Sequence, residues 1–176
     1  MDNLDELVEV LENSEDATAL KETAEEVMEL AHHKANCKRL VEADGLIGGL
    51  FRVMGKDGEG FREAREEAVL AIGWIAYNGS DEVKKGLFKY DGFADCLLGK
   101  MRNGGMVERR KAVGAIWDIA DGDMEVKKGL FKHEGLIDGL IEIAGQTGDE
   151  YADARWYAVK AMNNIADGDD EVKAGL

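Results

Sequence analysis

Three stretches of this chain are copies of one another. EEAVLAIGWIAYNGSDEVKKGLF runs from 66 to 88, RKAVGAIWDIADGDMEVKKGLF from 110 to 131, and WYAVKAMNNIADGDDEVKAGL from 156 to 176. Their anchor alanines, Ala68, Ala112 and Ala158, lie 44 and then 46 residues apart. Self-similarity at a period of 20–50 residues is the mark of a repeat array, in which each unit buries its apolar face only by stacking on the next. Such an array has no buried catalytic centre by default, so its extended groove is where function is to be sought.

The unit at 80–121 shows how one copy is built. Ser80 is placed to cap a short helix whose first turn holds Asp81 and Glu82, acids that suit the positive end of the helix dipole. Val83, Leu87 and Phe88 give that helix an apolar side. Asp91-Gly92 ends it, the glycine supplying a positive-φ corner. A second helix from Phe93 to about Met101 buries Phe93, Cys96, Leu97 and Met101. Asn103-Gly104-Gly105 is a turn. A third helix from about Val107 to Ala120 sets Ala112, Ala115, Ile116 and Ile119 on one stripe at the 3.6-residue period.

The same template places short first helices near 35–43, 81–90, 124–133 and 170–176. Second helices fall near 3–12, 46–55, 93–102 and 136–145, and third helices near 16–31, 61–77, 107–120 and 151–166. No alternating strand pattern occurs, so the chain is predicted to be all-α. The units run approximately 1–33, 34–78, 79–121 and 122–167, with a partial unit at 168–176. Val172 and Leu176 lack a second-helix partner, which predicts that the C-terminal end continues or docks on another subunit. The 176 residues hold no proline, so every turn falls to Gly, Asp, Asn and Ser.

The three-helix unit, the glycine corner and the third-helix pattern AVxAIxxIAxG resemble the armadillo repeat, and AVGAIWDIADGDMEVKKGLFKHEGLIDGLIEIA matches that family's pattern almost end to end. The resemblance covers essentially the whole chain, with 16–45 the weakest part. It implies a right-handed α-solenoid of about four three-helix repeats of roughly 44 residues, acting as a protein-interaction module whose groove is lined by third helices. Importin-alpha-like members carry a Trp and an Asn four residues apart in that groove to grip a basic peptide. Here the Trp-equivalent positions are Glu25, Leu70, Gly114 and Lys160, and the Asn-equivalent positions are Glu29, Trp74, Asp118 and Asn164. Only Asn164 matches, so an importin-like receptor is not expected. The family's usual proline at the start of the second helix is replaced by Gly48, Asp95 and Asp138, where Asp can cap by accepting a hydrogen bond.

Positions four apart on a helix share a face, which aligns Leu70, Trp74 and Asn78, then Arg110 and Asp118, then Trp156, Lys160 and Asn164. Trp117 lies beside Asp118. All three tryptophans sit on third helices, and Trp, Tyr and Arg are enriched where interfaces are strongest. Gly73 and Gly114 interrupt these helices where glycine costs about 1 kcal/mol relative to alanine. A bulky neighbour or a ligand would explain them. These residues form a candidate partner-binding groove centred on Trp74, Trp117 and Asp118. The competing reading is that the tryptophans only fill space between neighbouring third helices.

Other motifs point to structure. The acidic loops 78–82, 121–125 and 167–171 lack the glycine and glutamate spacing of an EF-hand loop and read as helix caps at one repeated position. His32-His33 diverge on a helix, His133 stands alone, and no Cys-His zinc set occurs. Gly55 to Gly60 lacks the Lys-Ser/Thr of a phosphate loop and reads as a flexible turn. Lys84-Lys85 and Lys127-Lys128 read as a minor solvated ridge. No nucleophile-base pair is present, so neither catalysis nor a cofactor is expected.

The net charge of −15, from 37 acids against 22 bases, opposes a nucleic-acid partner and fits a protein or peptide, basic or mixed in charge. No apolar run reaches the ~20 residues of a membrane span. The acidic start is not a targeting peptide. Cys37 and Cys96 are expected as buried thiols, which places the chain in the cytoplasm or another reducing compartment.

Overall fold

The computed structural model describes residues 4–167. Among these, eleven α-helices and two 3-10 turns occur and no strand does. They are α1 Leu4–Asn13, α2 Ala17–Ala31, α3 Lys34–Glu42, α4 Leu46–Met54, α5 Arg62–Asn78, α6 Asp81–Lys89, α7 Phe93–Asn103, α8 Met106–Ala120, α9 Met124–Lys132, α10 Leu136–Ala144 and α11 Ala152–Ala166. Every helix expected within the described residues is present to within two residues. The short helix expected at 170–176, and its loop, lie outside them.

The helices begin and end for the reasons legible in the residues. The Ser80 hydroxyl accepts from the Val83 N–H, and the Asp123 carboxylate accepts from the Glu125 and Val126 N–H groups. Both acidic loops at these positions are therefore caps. The corner between first and second helices is a left-handed glycine in each copy, with φ of 82° at Gly45, 76° at Gly92 and 77° at Gly135. An L side chain at this φ meets its own carbonyl. One expectation is corrected: Asp95 does not cap α7, because the cap position is Gly92. Asp95 stands in the first turn, where its Oδ1 lies 3.3 Å from Nε2 of His133. His133 is thus not alone.

Third helices stack in a row, α2 on α5, α5 on α8 and α8 on α11, with the second helices behind them. The core is one continuous apolar cluster running through all of these layers. The stripe Ala112, Ala115, Ile116 and Ile119 is buried as expected, as are Phe93, Leu97 and Met101. Cys37 is buried and Cys96 only half so; both are free thiols. No described helix is long and apolar enough to cross a membrane.

Ion pairs tie one repeat to the next. Lys21 meets Glu63 at 3.3 Å, Lys38 meets Glu82 at 3.2 Å, Lys84 meets Asp121 at 3.0 Å and Lys111 meets Glu67 at 3.1 Å. The Lys21 and Lys38 pairs are at the surface, where a single pair adds little; the pair of Arg65 with Glu108, at 2.5 Å, has both side chains nearly buried. The Lys84 ridge position also corrects the sequence reading. Lys84 is buried rather than solvated, and Lys85 pairs with Glu125. The loop at 55–60 is not loose either. Arg65 donates to the carbonyls of Lys56 and Gly58 at 3.0 and 2.8 Å, and Arg155 repeats this on Gln146 and Gly148.

Candidate functional site

The row of third helices leaves a cleft of about 450 Å³ between α5, α8 and α11. Leu70, Trp74 and Tyr77 line it from α5, Arg110, Gly114, Trp117 and Asp118 from α8, and Tyr157 from α11. An adjoining cleft of about 290 Å³ shares Tyr77, Trp117 and Asp118 and adds Lys84, Asp121, Lys160 and Asn164. The helical stripe produces this convergence. Residues at i, i+3, i+4 and i+7 face the same way, and stacking three copies of one helix sets three such faces side by side.

The aromatic rings are held by one another. Trp117 stacks on Tyr157 with centroids 5.6 Å apart and planes 26° from parallel. Trp156 packs edge-on against Trp117 at 5.1 Å, and the Lys160 ammonium lies 5.4 Å above the Trp156 ring. On the other wall Trp74 is edge-on to Tyr77 at 5.6 Å and to His32 at 4.3 Å. Trp74 and Trp117 also pack partly against the core. They fill inter-helix space and face the cleft at once.

Asp118 is the one acidic side chain that lines the larger cleft among the described residues. Three of the cations around it are bonded elsewhere, and Lys160 lies over the Trp156 ring. Lys84 bonds Asp121, Lys111 bonds Glu67 and the Glu66 carbonyl, and Arg110 reaches Asp153 at 3.3 Å. Burial pushes the Asp118 carboxyl up to about 7; the field of Lys84 opposes this and that of Asp121 adds to it. Desolvation wins because no donor offsets the lost water.

Of the nine residues the sequence put forward, Leu70, Trp74, Arg110, Trp117 and Asp118 meet in the larger cleft, and Lys160 and Asn164 in the adjoining one. Trp156 is half exposed at the rim, against Trp117. Asn78 is engaged elsewhere. Its side-chain nitrogen donates to the Ala31 carbonyl at 3.0 Å, tying the ends of α2 and α5. Tyr157 and Lys111 escaped the sequence reading, since the four-residue stripe passes through Trp156 and Arg110 instead. Gly114 was the available signal for Tyr157. A Cβ there would lie 3.9 Å from the Tyr157 ring, and one on Gly73 would lie 3.8 Å from the Ala115 Cβ. Both are ordinary contacts, so no neighbour forces either glycine.

No protein-family model matches the sequence, and no curated protein is similar to it. Solved structures do share the architecture. A designed armadillo repeat protein in complex with the peptide (KR)4 is 27% identical, with a TM-score of 0.84 over 98% of this chain and 68% of that one. The chain is an armadillo-like repeat protein. A computationally designed armadillo repeat protein for modular peptide recognition is similar to the same degree, at 27% identity and a TM-score of 0.84 over 99% of this chain and 69% of the other. A further engineered protein gives 26% and 0.83 over 98% of this chain and 67% of that one. This armadillo-like chain keeps the helix layout of these designs.

Proposed function

We propose that this armadillo-like chain is a peptide-binding module that takes an extended segment of a partner protein along the row of third helices, centred on Trp74, Trp117 and Asp118. Arg110, Trp156, Lys160, Asn164 and Leu70 flank that centre, with Asn78 at its edge. The convergence of four aromatic rings from three successive helices around one unpaired carboxylate carries the proposal. Aromatic anchors in a concave site are where binding energy concentrates, and the acidic balance of the chain favours a basic or mixed-charge segment. The peptide named for one solved neighbour, (KR)4, is of that kind. The chain contributes binding and no chemistry of its own. A random peptide library panned on the wild type and on Trp74→Ala/Trp117→Ala tests this. Peptides retained by the first and lost by the second support it; peptides retained equally by both refute it.

A second reading has its own observation. Ile141 and Val159 are exposed on α10 and α11, whereas the equivalent Leu98 and Val113 of the preceding repeat are buried. The chain would then serve as a docking subunit held through this end face. In that case the groove variant keeps its partner and Ile141→Lys/Val159→Lys loses it.

A further inference from the structure

We infer that the aromatic cleft between α5, α8 and α11 is a cage for an N-methylated lysine side chain, with dimethyl-lysine its best ligand. The inference rests on the groove proposed above and names the side chain that the groove's centre selects.

The walls come first. Trp74 and Tyr77 on one side and Trp117 and Tyr157 on the other bring four ring systems to one cleft. Ring faces attract cations through their quadrupole, and sets of such rings recognise alkylated ammonium groups. The floor comes next. Gly73 and Gly114 lie mid-helix, where alanine would be the better helix former, and neither is imposed by a neighbour. Their missing side chains widen the cleft between the rings, where a bulky tetrahedral head group needs room and a flat one does not.

Donor counting then chooses among cations. Asp118 has no hydrogen-bond or ion-pair partner among the described residues, and the cations of the cleft are engaged with Glu67 and Asp153. Of the two lysines in the adjoining cleft, Lys84 bonds Asp121 and Lys160 lies over the Trp156 ring, so neither forms an ion pair with Asp118. Lysine brings three N–H donors and arginine five, but the larger cleft has only one carboxylate to receive them, so some donors would face ring carbons or stay in water. A dimethylammonium brings a single N–H for Asp118 and turns two methyl groups to the rings. A trimethylammonium satisfies the rings and leaves the carboxylate unbonded. The order is therefore dimethyl-lysine, trimethyl-lysine, then lysine and arginine.

The test uses the full chain and four capped amino acids: acetylated methylamides of lysine, dimethyl-lysine, trimethyl-lysine and arginine. Their titrations are followed by the indole N–H signals of Trp74, Trp117 and Trp156. Dimethyl-lysine should bind about tenfold tighter than lysine, the size of one well-placed cation–π contact, and should move Trp74 and Trp117 most. Asp118→Asn should erase the advantage of dimethyl-lysine over trimethyl-lysine. The ranking on the wild-type chain decides the inference without any variant. Lysine or arginine binding as tightly as dimethyl-lysine, or no movement of these indoles with any of the four, overturns it. The library experiment on the groove is independent, so peptides lost from Trp74→Ala/Trp117→Ala would uphold the groove even where the methyl preference fails.

Discussion

Trp117 of α8 and Tyr157 of α11 stack across a repeat boundary, their centroids 5.6 Å apart and their planes 26° from parallel. One ring fixes the other, and together they form a wall of the cleft. Trp156 of α11 packs edge-on against both rings, and the stack itself forms only when two repeats have docked. A double-mutant cycle with Trp117→Leu and Tyr157→Leu, read by urea denaturation, should give a coupling of about 1 kcal/mol. Additive effects would show that the stack adds no stability.

Asp118 makes the protein's stability depend on pH. Its carboxyl has an ordinary value of 3.8 and is raised to about 7 in the fold. Between these values the folded chain holds a proton that the unfolded chain has lost, so this group makes stability fall as pH rises across that window. Of the other groups facing the same space, Lys84 and Asp121 bond each other and Lys160 lies over the Trp156 ring. Asp118→Asn should raise the melting temperature at pH 8 and change it little at pH 4. A drop at pH 8 would mean that the carboxylate is stabilised in the fold after all. Binding of a cationic ligand needs the ionised form, so affinity should climb from pH 6 to pH 8 in the wild type and stay flat in Asp118→Asn.

Arg65 and Glu108 form a nearly buried ion pair between repeats, and Glu108 also accepts from the Gly105 N–H at 3.1 Å. Removing one partner of a buried pair strands the other. Glu108→Ala should cost about 3 kcal/mol, the low end for such a break, because Arg65 keeps its two loop carbonyls. Measured by chemical denaturation, a loss below about 1 kcal/mol would place this pair with ordinary surface bridges.

Much of this was readable in the residues. The helices, the Ser80 cap and the Gly92 corner all follow from local chemistry, because capping oxygens and positive-φ glycines act on their own neighbourhood. What stayed hidden depends on side chains that reach beyond their own helix turn. Lys84 looks like a solvated lysine until the end of α8 brings Asp121 to it. The loop at 55–60 looks loose until Arg65 returns to hold its carbonyls. Tyr157 is one residue off the stripe, and only the docking of α11 on α8 turns its ring into the cleft. The fold is thus local in its signals, and the site is not.

Two glycines separate backbone strain from crowding. A Cβ at Gly92 would meet nothing within 4 Å, yet its φ is 76°. Gly99, within α7, is equally unobstructed but helical. Gly92→Ala should cost about 1–2 kcal/mol, and Gly99→Ala should add about 0.5–1 kcal/mol. Thermal melts of the two variants should therefore shift in opposite directions; shifts of the same sign would contradict the corner geometry.

Panning a peptide library on the wild type beside Trp74→Ala/Trp117→Ala, with both proteins shown to be folded by circular dichroism, tests the central claim most directly. The account predicts peptides bearing basic side chains that the wild type retains and the double variant releases. Retention of the same peptides by both proteins would contradict it.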